Sequence, residues 1–228
     1  MNRIKKGRFF ILLILVAAFV IPTLVFTQDT IAYIGELGGT VTVTVTKSNP
    51  GEVAAELGML IGAGDTVKTG NESYTSIIFQ DDGSRVKLGS NAVITLNATR
   101  TKKKLNKKIF LSAGKIFAKV TKKKGTDFQI KTPTSVSSVK GTRFILEEKD
   151  WGETWLWVLD DFVELASDAG KITVNKGQKG IATKDALKIE ELKDEDIPVE
   201  PGKHEMIINF TRSDDTSMKK ELHIEFER

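Results

Sequence analysis

The chain of 228 residues has no cysteine. That excludes a disulfide frame, a thiolate nucleophile, a thiolate zinc site and a lipoprotein cysteine. It has only two histidines, His204 and His223, both near the C-terminus. They leave little room for a His-rich metal centre, and no Ser–His–Asp set is suggested. A net basic body is missing too. The formal charge is +4, but Arg3, Lys5, Lys6 and Arg8 are the only charged side chains before residue 28. Removing these four of 34 basic residues leaves 30 against 30 acids, a neutral body. The basicity therefore says nothing by itself about nucleic acid. Apolar residues make up 40% of the chain, enough for a real core and too many for a disordered polymer. The length suits one domain of ordinary size with at most a small appendage.

The first residues bear on compartment. A basic head, 1–8, precedes an uncharged apolar run from Phe9 to Phe26, which ends at Thr27-Gln28-Asp29. As a helix, about eighteen residues at 1.5 Å each span roughly 27 Å, near the lower limit for a bilayer. Basic residues on the short side place that side in the cytoplasm and the rest of the chain outside it. Residues 9–27 are expected to be a retained membrane anchor or a cleaved signal peptide, with cleavage after Thr27. Either way the chain is expected to be extracytoplasmic, in the periplasm or at the cell surface, and membrane-anchored or secreted.

Beyond residue 30 the apolar period is two. Val41, Val43 and Val45 alternate with threonines, and short β-branched or aromatic runs recur up to Ile172-Thr-Val174, bounded by Gly, Asn, Asp or Ser. No stretch from 30 to 180 holds helical spacing, and Glu52 to Leu60 offers at most a brief helical turn. The pattern predicts an all-β body over 33–182, of stacked short strands in a solenoid-like or sandwich-like arrangement. Its expected core is Val67, Ile78, Val86, Leu88, Leu96, Leu111, Phe117, Ile130, Val139, Phe144 and Leu165. Residues 183–203 read as an acidic linker with Pro198 and Pro201, and 204–228 as a C-terminal β-hairpin.

The motifs are turn chemistry. Gly64-Asp65 and Asp82-Gly83-Ser84 pair a carboxylate, able to bond a backbone N–H two residues on, with a glycine free to take positive φ. Thr132-Pro133 favours an extended backbone ahead of a strand. Lys140-Gly141-Thr142 marks a bulge or a close backbone approach. Gly64 to Gly70 is no P-loop, since it lacks Gly-Lys-Ser/Thr at the required spacing. Asp81-Asp82-Gly83-Ser84 falls short of a calcium loop. Glu147-Glu148 point to opposite faces of a strand and mark no glycosidase pair. No catalytic, metal or cofactor site is expected.

In order, these segments resemble the FecR domain family. Leu60-Ile-Gly-Ala-Gly64-Asp65-Thr-Val67-Lys-Thr69-Gly70 is similar to its opening motif. Phe79-Gln-Asp-Asp82-Gly83-Ser84-Arg-Val86-Lys-Leu88, Leu111-Ser-Ala-Gly114-Lys-Ile116, Thr132-Pro133 through Gly141-Thr142-Arg-Phe144, and Lys176-Gly177-Gln178 follow in the family's order. The resemblance implies a non-enzymatic extracytoplasmic module, serving envelope sensing, signalling or scaffolding through a protein partner. In the namesake members it relays iron-siderophore status across the membrane to a sigma factor. Eight residues ahead of the apolar run are expected to be too few to hold a sigma factor. A second departure is Asp160-Asp161, where the family usually has a glycine before the valine.

Charge within the body is uneven. Residues 100–124 hold eleven basic side chains and no acid, while 185–205 hold eight acids. One reading of the lysines is a solvated hairpin tip with edge protection. The other is a patch for an anionic envelope polymer or lipid headgroups, formed by Lys102, Lys103, Lys104, Lys122, Lys123 and Lys124. If Ile109–Leu111 and Ile116–Val120 pair as a hairpin through Ser112-Ala-Gly114, both runs fall at one end. The acidic 185–205 stretch is then a candidate internal screen. Nucleic acid is not an expected partner: the compartment is wrong and interleaved stacking aromatics are missing.

Overall fold

The computed structural model describes residues 30–46, 51–101, 104–149, 152–211 and 219–227. The expected anchor or signal at 9–27, and Lys102 and Lys103, lie outside the described residues. The body is all-β. Its first strands are β1 (Thr30–Gly38), β2 (Val41–Val45), β3 (Gly51–Ala54), β4 (Leu60–Gly62), β5 (Thr66–Thr69), β6 (Tyr74–Phe79), β7 (Arg85–Leu88) and β8 (Val93–Thr101). A long β9 (Lys104–Lys119) leads to β10 (Phe128–Lys131), β11 (Val136–Val139), β12 (Arg143–Lys149) and β13 (Glu153–Val158). Then come β14 (Phe162–Ser167), β15 (Gly170–Asn175), β16 (Gln178–Ala182) and β17 (Leu187–Glu191). A single 3₁₀ turn, Asp194–Asp196, precedes β18 (Lys203–Thr211) and β19 (Lys219–Glu227), which pair antiparallel apart from the main sheet. Among the described residues no helix is long and apolar enough to cross a membrane.

The 17-stranded sheet is open and folds through β9 into two layers. The first layer runs β4-β1-β6-β7-β9-β12-β13-β16-β17. The second runs β3-β2-β5-β8-β9-β10-β11-β14-β15. The N-terminal part of β9 belongs to the second layer and residues 114–119 to the first. The inner faces of both layers supply one core. Phe79 of β6 meets Phe128 of β10 edge-to-face at 5.9 Å, across the two layers. Alternation decides who enters it. Leu105, Lys107, Ile109 and Leu111 are buried along β9, while Lys104 and Lys108 are exposed.

Three expectations need correction. Ser112-Ala-Gly114 is not a hairpin turn. The two arms of β9 bond to different strands, β8 and β10 on one side of the corner, β7 and β12 on the other. Gly114 makes the corner, with φ +82° and Ala92 so close that a Cβ would lie 2.6 Å from its Cα. Glu52 to Leu60 begins as a strand, Gly51–Ala54 paired with β2, and keeps only a single turn closed by the Met59 N–H on the Glu56 carbonyl. The expected linker 183–203 contains β17, whose Leu187–Glu191 pairs with β16 and completes the first layer. The expected core also shifts at two positions. Ile78 and Phe117 are only half-buried and face outward, while their neighbours Ile77, Phe79, Ile116 and Ala118 turn inward. The other nine expected core residues are buried.

Candidate functional site

The motif residues build corners. Asp65 is fully buried, and its carboxylate accepts the N–H groups of Gly62 at 2.8 Å and Thr46 at 3.0 Å. It thus fastens β4 to the end of β2. Gly64 donates its N–H to the Leu96 carbonyl at 2.6 Å. The Thr69 hydroxyl donates to the Gly89 carbonyl and accepts the Ala92 N–H, and Gly70 bonds the Thr40 carbonyl. Asp82 does bond two residues on, to the Ser84 N–H at 2.9 Å across Gly83, and the Ser84 hydroxyl accepts the Thr121 N–H. Gly177 accepts the Leu192 N–H. At Gly141, φ is +131° and a Cβ would meet the Lys122 backbone at 2.7 Å. Thr142 bonds the Asp160 carbonyl, and Phe144 lies in the core. Asp161 takes a φ of +50°.

Thr132 sits ahead of Pro133 in a buried hydroxyl cluster. Its Oγ1 lies 2.7 Å from the Thr154 hydroxyl and accepts the Ser135 N–H. Thr154 donates to Glu148 Oε2 at 2.7 Å. Burial pushes the Glu148 carboxyl above its usual range, against the hydrogen bonds from Thr154 and Thr132. Glu147, one residue earlier, faces outward and pairs with Lys149 and Lys115.

The lysine-rich end has an unexpected construction. The two arms of β9 do not pair with each other, yet the chain comes back to where it started. Residues 120–127 return to the second layer, and β10 starts parallel to β9 with Phe128 beside Lys107. The Lys104 ammonium packs against the backbone of Gly125. Lys104 therefore shares one end of the sandwich with Lys122, Lys123 and Lys124. There, a cavity of about 490 Å³ is lined by the three lysines, Phe128, Val139 and Lys140.

Part of this charge is neutralised from within. Lys107, on the inward face of β9 and 1% exposed at its side chain, places Nζ 2.8 Å from Asp81 and 2.5 Å from Asp82. Its ammonium also lies 5.1 Å from the Phe79 ring centroid. Lys123 reaches Asp81 at 3.3 Å, and Lys122 reaches Asp161 at 3.7 Å. Burial works against ionised Asp82, but hydrogen bonds from Lys107 and Ser84 hold it below its ordinary range. Among the described residues the internal screen is thus the β6–β7 turn and Asp161 rather than the 185–205 stretch. From that stretch, Glu200 instead reaches Lys87, 3.5 Å away on the outer face of the first layer. Lys124 and Lys140 are exposed and make no ion pair among the described residues. Among these residues no cluster of His, Asp or Glu is arranged to hold a metal ion.

Sequence reasoning missed Lys107, because a lysine inside a lysine-rich run carries no mark of burial. The signal available was its place in the alternation Leu105-Lys107-Ile109-Leu111.

The family model described as FecR protein matches residues 65–164. The resemblance read from the motifs is borne out over that span. No curated protein matches the chain. Two crystal structures of a candidate anti-sigma factor from Parabacteroides distasonis align with a TM-score of 0.49 at 15% identity. Each alignment covers 55% of this chain and 59% of the other, less than two thirds of that protein.

Proposed function

We propose that the FecR domain at 65–164 serves as a regulatory, non-enzymatic interaction module, working outside the cytoplasm in envelope sensing, signalling or scaffolding through a protein partner. One observation carries this reading: the matched motif residues are used on the scaffold. Asp65, Thr69, Ser84, Thr132 and Phe144 are buried and bonded or packed within the two layers. What they hold in place is a broad sheet surface, which supports the reading of a binding module. The basic head and apolar run at 1–27 support export, with the body attached to the membrane or released from it. A C-terminal reporter fusion active only outside the cytoplasm is the expected result. Cross-linking in intact cells should then yield a protein adduct.

A second reading has its own observation. Lys122, Lys123, Lys124 and Lys140 ring the cavity at the lysine-rich end, which suits an anionic envelope polymer or lipid headgroup. The pairing of Lys122 and Lys123 with Asp161 and Asp81 weakens it. Retention on purified envelope that vanishes at high salt would favour it.

A further inference from the structure

Across the outer face of the first layer, three cations stand in one row. Arg85 of β7 is directly opposite Lys119 of β9, and Lys119 is directly opposite Arg143 of β12. Adjacent strands lie about 4.8 Å apart, and like charges facing each other across a sheet are destabilising. The outer two are compensated: Arg85 meets Glu36 at 2.8 Å, and Arg143 meets Asp160 at 2.5 Å. Lys119, in the middle, is exposed and makes no ion pair among the described residues, though the Asp160 carboxylate that holds Arg143 also acts on it from a distance.

The row borders a groove of about 480 Å³ with a mainly polar lining, to which Phe117, Ile145 and Leu159 add apolar atoms. Glu200 lines the same groove. It belongs to the acidic segment 192–202, which runs over this face transverse to the strands. The segment leaves β17 with the Leu192 N–H bonded to Gly177, and Asp196 acts on the Lys179 ammonium of β16. Further on, Glu200 meets Lys87, and Gly202 lies against the Tyr74 ring of β6. This face therefore already accepts one acidic, proline-containing segment, in cis, extended after its 3₁₀ turn at Asp194–Asp196.

We propose that the groove beside this strap is a docking site for a second acidic extended peptide, supplied by a protein partner, with a carboxylate on Lys119. The inference rests on the interaction-module reading above and gives the partner a chemistry. Peptide is favoured over polyanionic polymer by the strap itself, an acidic stretch of polypeptide already held on this face. Carboxylates are matched by a charge-assisted pair at Lys119 and by exchange at Arg85 and Arg143.

The test uses the full chain in detergent and a labelled synthetic peptide with the strap's sequence, Leu192 to Gly202, read by fluorescence anisotropy at low salt. The acidic peptide should bind, and its Asn/Gln counterpart should bind about ten-fold more weakly or worse. Lys119→Gln should lose about ten-fold, while replacing Lys122, Lys123 and Lys124 with Gln should change little. Lys119 is exposed, so unchanged melting of the variant confirms that the fold is kept. Equal binding to Lys119→Gln, or no binding to the wild type, overturns the proposal. Polyphosphate binding that depends on Lys119 while the peptide stays inert also overturns it, in favour of a polymer. Capture of one envelope protein equally by wild type and Lys119→Glu overturns this site and leaves the module reading standing. Capture by neither overturns both.

Discussion

Lys107 and Asp82 meet across the end of the sandwich, Nζ to Oδ2 at 2.5 Å, one from near the start of β9 and the other from the turn of the opposite layer. The pair ties the β6–β7 turn to β9 where the apolar core stops. A buried ion pair is a weak source of net stability, but breaking one leaves an uncompensated charge. Lys107 keeps Asp81 at 2.8 Å, so Asp82→Asn should cost about 1.5–3 kcal/mol in a urea melt, the worth of a hydrogen bond to a charged group. Lys107→Met combined with Asp82→Asn should recover much of that loss.

Acid should act at the same place. The Asp82 carboxyl lies below its ordinary range in the folded state. Its contribution is fully present above the unfolded value near 3.8 and is lost as pH falls through the folded value. Acid titration of stability should show wild type losing more than Asp82→Asn below that point. A parallel loss in both would remove Asp82 from the account.

Glu148 should do the opposite. Its folded carboxyl is raised above 4.5 by burial. The folded state then binds the proton more tightly, so stability falls as pH rises from about 4.5 through the folded value. Glu148→Gln keeps an acceptor for Thr154 and removes the buried charge. It should melt above wild type at pH 7, with the gap closing at pH 4.

The corners should be intolerant where backbone conformation and space both forbid a side chain. Gly114→Ala adds a Cβ against Ala92 at a φ of +82° and should cost about 2 kcal/mol or more by chemical denaturation. Asp161→Gly goes the other way. At a φ of +50° glycine relieves the left-handed strain, so the variant should be neutral or up to about 1 kcal/mol more stable. Its ion pair with Lys122 is surface-exposed and contributes little.

The β class and most of the core were legible because a period of two is a local signal. Val67, Val86, Leu88 and Phe144 all lie inside as their alternation requires. The β9 corner was not legible. Ser112-Ala-Gly114 between two alternating runs suits a hairpin or an arch equally well, and only remote partners in β8, β10 and β12 decide between them. Lys104 nonetheless shares an end with Lys122, Lys123 and Lys124, because residues 120–127 carry the chain back to the second layer. β17 was hidden by acid density and nearby prolines, although Leu187 and Ile189 alternate with Lys188 and Glu190. The cation row across Arg85, Lys119 and Arg143 could not be read at all, since it joins three strands through their register.

The central claim is that this module works by binding a protein on its outer sheet face. The most direct measurement is cross-linking in intact cells, with a photoreactive residue at position 119 and, separately, at position 124. The account predicts a discrete protein adduct from position 119 that disappears when Arg85 and Arg143 are changed to Gln. A protein-free adduct with envelope polymer, formed from position 124 and not from 119, would contradict it.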